Sequence, residues 1–339
     1  MSLIQSPSTP EARLARVASR GTPWQMFGHH DGSPLTSAEL ADANSLGWTV
    51  RKEPTFIRTK RGFIEQVPDS FAVVRDTDNA IIAPHVGAVY EPFQNAEMLE
   101  FGDALVEHYG AHWVAGTSVR NGRQVVAVLK LSHAAESILP ANLTEADAHA
   151  AYLLLATSHD GSMAFSGGIT LIRIACTNAV KMALKGARSS FKFRHTSSIT
   201  DRLGEARRSL ELVSRYAMTY SDTMERMMDI EASIQEIEDF VNEVAVPIAD
   251  PEARNADALR SRRAKLRSHI LSTPTVAPEL RMTNYGVFQA TTEFFEHEVD
   301  HTYRRSTGRA EGRLLSTVFG GPIEQASTRA FKALAPVGA

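Results

Sequence analysis

The stretch HWVAGTSVRNGRQVVAVLKL (112–131) decides the fold class. Two runs of apolar and β-branched residues flank Asn121–Gly122, a pair that tolerates positive φ and suits a type I′ turn, so the segment reads as an antiparallel hairpin. Upstream, WTVRKEPTFIRT (48–59), GFIEQV (62–67) and SFAVVRD (70–76) have the content of short strands. Lys60–Arg61–Gly62 falls at one turn and Asp76–Thr77–Asp78–Asn79 at another. NAEMLEFGDALVEHYG (95–110) places Met98, Leu99, Phe101, Leu105 and Val106 near helical spacing, with Asn95 as N-cap and Gly110 as the stop. Downstream, residues 151–187 offer two apolar strands around His159–Asp160–Gly161–Ser162, the second entering a helix near Cys176–Thr177–Asn178. SFKFRHT (190–196) is basic and partly alternating.

Beyond residue 198 the pattern turns helical. One helix is expected over 199–246, stopped by Pro247 and Pro251, a second over 252–271 and a third over 285–305. A Gly-rich break at Gly308–Gly321 precedes a short terminal helix. The expected class is α+β, an N-terminal antiparallel sheet with packed helices followed by a mostly helical C-terminal segment. The expected organisation is a loosely ordered arm (1–45), an α+β core (46–198) and a helical region (199–339).

Composition excludes several classes. With 43% hydrophobic and 22% charged residues among 339, the chain is neither disordered nor fibrous. One cysteine, Cys176, excludes a disulfide framework and any multi-cysteine zinc or iron–sulfur site. No apolar run reaches the roughly 18–20 residues of a membrane span. The start MSLIQSPSTPEARLARVASR lacks the apolar core of a secretory signal, so a cytoplasmic protein without a membrane partner is expected. Net charge is only −3, but its distribution is uneven. Residues 181–215 carry nine Lys or Arg against three Asp or Glu, a net of +6. Residues 222–252 carry ten acids against one base, and 254–267 six bases against one acid. Such blocks suit helices, or subunits of a homo-oligomer, packed against one another.

Catalytic signatures are sparse. His297–Glu298–Val299–Asp300–His301 is a literal H-E-x-x-H, which on one helix aims two imidazoles at zinc. Asp300 puts a charge inside the motif, and only Glu311 or Glu324 could serve as third ligand. No zinc is expected there. Adjacent His29 and His30 diverge and make a poor chelating pair. There is no phosphate loop, no dinucleotide-binding glycine motif and no nucleophile elbow. Cys176 at a strand-to-helix junction reads as a buried small hydrophobe rather than an activated thiol. The chain reads as a binding protein rather than an enzyme, and no cofactor is implied.

Basic residues make the better case. Lys52, Arg58, Lys60 and Arg61 surround one early turn. Arg173, Lys181, Lys185, Arg188, Lys192 and Arg194, joined by His195, form a later group interleaved with Phe191 and Phe193. Lys and Arg neutralise phosphates, and exposed aromatic faces stack on unpaired bases, so single-stranded DNA is the expected partner. The alternative leaves both phenylalanines in the core and the bases solvated.

Several motifs carry a family resemblance. They are Leu46–Gly47–Trp48, Val89–Tyr90–Glu91–Pro92–Phe93–Gln94–Asn95, Gly122–Arg123 and His159–Asp160–Gly161–Ser162. Further along are Arg173–Ile174–Ala175–Cys176–Thr177–Asn178, Arg194–His195–Thr196, Asn284–Tyr285–Gly286 and Ala290–Thr291–Thr292–Glu293. Together they resemble the phage/plasmid-like protein family, a domain of unknown function found in phages, prophages and plasmids. Its pattern has Trp where Tyr285 stands, and an Asp–His pair matching Asp300–His301 without a fixed histidine at 297. The resemblance implies a role in DNA metabolism, similar to that of the cofactor-independent single-strand annealing proteins of recombination that form rings or filaments. A counter-defence or regulatory protein acting through protein partners is the alternative, and a metal-dependent hydrolase the third reading.

Overall fold

The computed structural model describes residues 35–131, 149–173, 179–180, 190–193, 213–299, 312, 316 and 321–336. Strands and helices form the expected α+β arrangement, with the sheets in the N-terminal part and helices dominating the C-terminal part. Strands β1 (Val50–Arg58), β2 (Ile64–Arg75) and β3 (Ile81–Gly87) make a three-stranded antiparallel sheet in that order. A second sheet joins β4 (His112–Val119), β5 (Gln124–Lys130), β6 (His149–Ser158), β7 (Phe165–Arg173) and β8 (Ala179–Val180), with β9 (Ser190–Phe193) also paired to β7.

The hairpin that decides the class is β4–β5, paired from His112↔Lys130 to Val119↔Gln124. Its turn sits one residue earlier than the dipeptide suggests. Arg120 and Asn121 both have positive φ, Gly122 N–H donates to Val119 O at 3.2 Å, and Gly122 follows at φ 87°. Three successive left-handed residues close the loop, and glycine takes the last of them at least cost. Strand β5 is buried on both faces: Val125, Ala127 and Leu129 join the main core, while Val126 and Val128 meet Leu154 and Ala156 in a second cluster.

Helix α1 (Ser37–Ala43) lies inside the segment expected to be a loose arm. Thr36 and Glu39 form its capping box, and Leu40 is fully buried in the core. Helix α2 (Asn95–Tyr109) begins one residue before the sequence suggests. Its cap is Gln94, whose N–H donates to Glu97 Oε2 at 2.7 Å, and Asn95 becomes the first helical residue with a buried side chain. Phe101 packs on Phe165 and Phe191, which fixes α2 against the second sheet.

In the helical part, α3 (Val213–Met228) ends where one long helix was expected to continue. Ala232 N–H donates to Met282 O and Asn284 N–H to Ile230 O, so residues 230–232 pair with 282–284 instead. Ser233 and Glu236 then cap a new helix, α4 (Ile234–Asp239), which continues as a π-helical turn, Phe240–Ala245. Helices α5 (Ala256–Ser272) and α6 (Asn284–Glu293) follow, the latter extended by a π-helical turn, Phe294–Glu298. Helix α7 (Pro322–Leu334) ends the described chain. The acidic and basic blocks meet within the molecule: Arg267 reaches Glu238 at 2.7 Å, and Arg263 donates to the carbonyls of Asn242 and Val246. One cluster of buried side chains contains residues of both sheets and of these helices.

Candidate nucleic-acid interface

Residues 55–66 gather four exposed large apolar side chains on one two-stranded segment. The register of β1 on β2 shifts between Pro54↔Phe71 and Phe56↔Gln66. Across that shift β2 spends Val67–Ser70, including Pro68 and positive-φ Asp69, where β1 spends only Thr55. Such a bulge bends a strand and increases its twist. Beyond it the two strands continue as an isolated ribbon, because β3 pairs only with Ser70–Val74 of β2. Phe56, Ile57, Phe63 and Ile64 are exposed at 57, 54, 64 and 75%. Arg58, Lys60 and Arg61 crown the ribbon, and Gly62 at φ 86° closes the turn with Gly62 N–H on Thr59 O. Among the described residues none of the three cations makes an ion pair or side-chain hydrogen bond.

The root of the ribbon is held firmly. Thr55 Oγ1–H faces Ser70 O at 2.8 Å and Ser70 Oγ at 2.6 Å, and Ser70 Oγ meets His85 Nδ1 at 2.8 Å, tying all three strands. Lys52 belongs to this root. Its ammonium donates to Ala88 O at 2.7 Å and Tyr90 O at 2.8 Å, lies 3.6 Å from Glu91 and sits over the Phe71 ring. The side chain is only 18% exposed, so its charge serves the fold and the exposed cations are those of the tip.

Lys52 also links the ribbon to the place where four of the resemblance motifs converge. Asn95 Nδ2 donates to Leu46 O at 3.0 Å and Trp48 O at 3.3 Å, while its Oδ1 lies 2.9 Å from His159 Nε2. His159 packs edge-on against Trp48, and its N–H donates to Arg123 O. Tyr90 Oη–H donates to Ser158 O at 3.0 Å, and burial pushes its hydroxyl well above the ordinary phenol range, so it stays a donor. Gln124 Nε2 reaches Ser162 Oγ, and Gln94 bonds both backbone polar groups of Val50. These motifs build a buried polar junction between the two sheets and α2. His159 is fully buried within that junction.

The later basic group divides. Lys192 is exposed on β9 opposite Ser166, while its neighbour Phe191 is buried at 4% against Phe101 and Phe165. The stacking role expected of Phe191 is therefore taken by the core. Arg173 closes β7 opposite His149, and only its backbone is described. Lys181, Lys185, Arg188, Arg194 and His195 lie outside the described residues, as do Cys176 and His301. The helical register that would align His297 with His301 stops at Glu298, because Val299 is extended. A different carboxylate–histidine pair is present: Glu293 Oε2 lies 3.6 Å from His269 Nε2 and accepts from the hydroxyls of Thr273 and Thr275. Glu293 is fully buried, so this pair stitches α5 to α6 in the core. A cleft of about 260 Å³ between α4 and α5 is lined by Glu238, Asn242, Arg260, Arg263 and Arg267, whose guanidinium groups are all engaged.

Phe56, Ile57, Phe63 and Ile64 are the residues that strand reasoning passes over. Adjacent apolar pairs on one strand point to opposite faces, so both faces of the ribbon carry apolar side chains. That pattern was legible as two-sided burial or as an uncovered ribbon, and the basic tip between the pairs favours the second.

The model of one protein family, described as a domain of unknown function (DUF932), matches residues 84–318. The chain belongs to the DUF932 family. The DUF932 match takes in the polar junction from Tyr90 to Ser162 and the helices through α6, and it begins within β3. The β1–β2 ribbon thus precedes the DUF932 region. Neither the curated proteins nor the solved structures give a match to this chain. Among the described residues no helix is long and apolar enough to cross a membrane.

Proposed function

We propose that this protein binds single-stranded DNA through the β1–β2 ribbon. The observation that carries the reading is the pairing of exposed Phe56 and Phe63 with three uncommitted cations, Arg58, Lys60 and Arg61, and with no acid between Glu53 and Glu65. Cations along a backbone path and rings that stack on bases are the two elements of sequence-tolerant single-strand binding. Lys192 is a separate exposed cation on the second sheet. Annealing of complementary strands by a homo-oligomeric ring or filament, in the setting of a mobile element, is the activity that such binding serves, and it requires no cofactor.

A salt titration of the purified protein on a labelled oligonucleotide tests this. Three phosphate contacts on a single strand give a slope of log affinity on log salt of about −2, at roughly −0.7 per contact. The triple variant Arg58→Ala, Lys60→Ala, Arg61→Ala is expected to flatten the slope by about two units for every sequence tried. An unchanged slope would remove the ribbon from the interface. A second reading, docking of a protein partner, is supported by the exposure of Ile57 and Ile64, and a wild type that binds no DNA at low salt would favour it.

A further inference from the structure

Pleat alternation assigns the side chains of the ribbon to two faces. The pairs Phe56↔Gln66 and Arg58↔Ile64 share one face, and Ile57↔Glu65 lies on the other. Thr59 N–H donates to Phe63 O at 2.9 Å, which continues the ladder and puts Phe63 on the face of Ile57. Each face therefore offers one phenylalanine ring and one isoleucine, and both faces are open to solvent. A platform for one unpaired strand needs rings on a single face. Rings on both faces suit a wedge with a strand passing on either side.

Resting on the single-strand reading above, we infer that the preferred ligand is the junction where a duplex opens into two single strands. The ribbon enters at the fork, with Lys60 and Arg61 at the tip between the two phosphate backbones. Phe56 and Phe63 each meet the first unpaired bases of one strand. The dimensions agree. A single β layer with its side chains is about 10 Å thick across its faces, so a two-stranded ribbon can stand between two separated strands at an opened fork. Apolar wedges inserted between bases cost unstacking, which is least at an end or fork where pairing is already lost. The root supplies the stiffness that a wedge requires, through the Thr55–Ser70–His85 chain and the Lys52 bonds to Ala88 and Tyr90. The charge pattern excludes an apolar protein groove as the better occupant, because three uncompensated cations at the tip would be buried with it.

The test uses the full chain and three labelled probes of one sequence: a single strand, a blunt duplex and a duplex with two non-complementary arms. A second copy of the forked probe carries 2-aminopurine at the junction. The forked probe is expected to bind about fivefold tighter than the single strand, the low end for one added base–aromatic stack, and the junction fluorescence to change on binding. Phe56→Ala and Phe63→Ala should each bring the fork within about twofold of the single strand, again one stack's worth. Both positions are exposed, and circular dichroism checks that each variant folds. Equal affinity for fork and single strand, with unchanged junction fluorescence, overturns the wedge and leaves single-strand binding standing. Failure to bind any of the three probes at low salt overturns both.

Discussion

Replacing Asn95 by alanine tests whether the polar junction carries stability. The side chain is 1% exposed and makes three contacts: two from Nδ2 to the carbonyls of Leu46 and Trp48, one from Oδ1 to His159 Nε2. A typical buried hydrogen bond contributes about 1 kcal/mol net, and partners left unsatisfied raise the cost, so the loss should be about 3 kcal/mol. At a urea dependence of about 3 kcal/mol per molar, the midpoint falls by roughly 1 M. Trp48 lies with its ring 5.0 Å from His159, so one of the three tryptophans contributing to the fluorescence senses the junction. Asn44→Ala is the control, since Asn44 donates a single partly exposed bond to Leu40 O at the end of α1, and it should cost no more than about 1 kcal/mol. Asn95→Asp keeps the size but sets a carboxylate against two carbonyl oxygens, and it should destabilise at least as much as alanine. A loss below about 1 kcal/mol for both Asn95 variants would refute the reasoning.

Gly286→Ala should destabilise by about 3 kcal/mol, the upper end for overpacking, because a Cβ there would lie 1.9 Å from Leu280 O and backbone cannot swing aside; a urea midpoint measures it. Gly167→Ala drives a methyl to 2.1 Å from the Phe191 ring, so hydrogen exchange at the Phe191 amide should accelerate as β9 loosens from β7. Burial, then Lys130, hold His112 below the ordinary 6.5, so the fold favours its neutral form. That contribution is present above pH 6.5 and lost as pH falls through the lower folded value, and His112→Asn should flatten the stability profile below about pH 6.5. The Arg75 hydrogen bond lowers Asp78 to about 2, so its contribution to the β2–β3 turn holds above the ordinary carboxylate range and disappears as pH falls towards 2; Asp78→Asn should remove that acid step from an unfolding titration.

Local chemistry made most of the sheets legible. Alternating and apolar runs set β1, β4 and β5, while β2 was legible as two short strands, 62–67 and 70–76, that the structure joins through the bulge into one (Ile64–Arg75), and two-residue turn chemistry set the β4–β5 connection to within one residue. Tertiary pairing hid more in the helical part. Residues 230–232 sit in a helical pattern but bond to residues 282–284, and Ser233–x–x–Glu236 was the local sign that a new helix starts there. Asn95 reads as an N-cap from its type alone. Its side chain instead turns inward to His159, a partner 64 residues away that no window of sequence contains. Of the basic residues, the tip cations were legible as exposed because a Lys–Arg–Gly turn has nowhere to bury them. Lys52 was not separable from them, since its acceptors are backbone carbonyls at Ala88 and Tyr90.

Lys52 and the tip cations differ in what holds them, and that difference separates a fixed root from an exposed tip. An isolated two-stranded ribbon is marginal in water, and an exposed apolar one invites edge pairing with other chains. Charged residues blunt that liability, and here Lys60 and Arg61 stand at the tip with Arg58 and Glu65 on the stem, while four apolar side chains remain uncovered beside them. A ribbon kept only for packing would bury Phe56 or Phe63 against a neighbour; a simple loop would need neither ring. The bulge at Val67–Ser70 detaches the ribbon from β3, and Lys52, Thr55, Ser70 and His85 fix its root to the first sheet and, through Tyr90, to the polar junction. A stiff root, a two-sided aromatic stem and a cationic tip are three separate features, and together they support the proposed binding of an unpaired polyanion bearing flat bases.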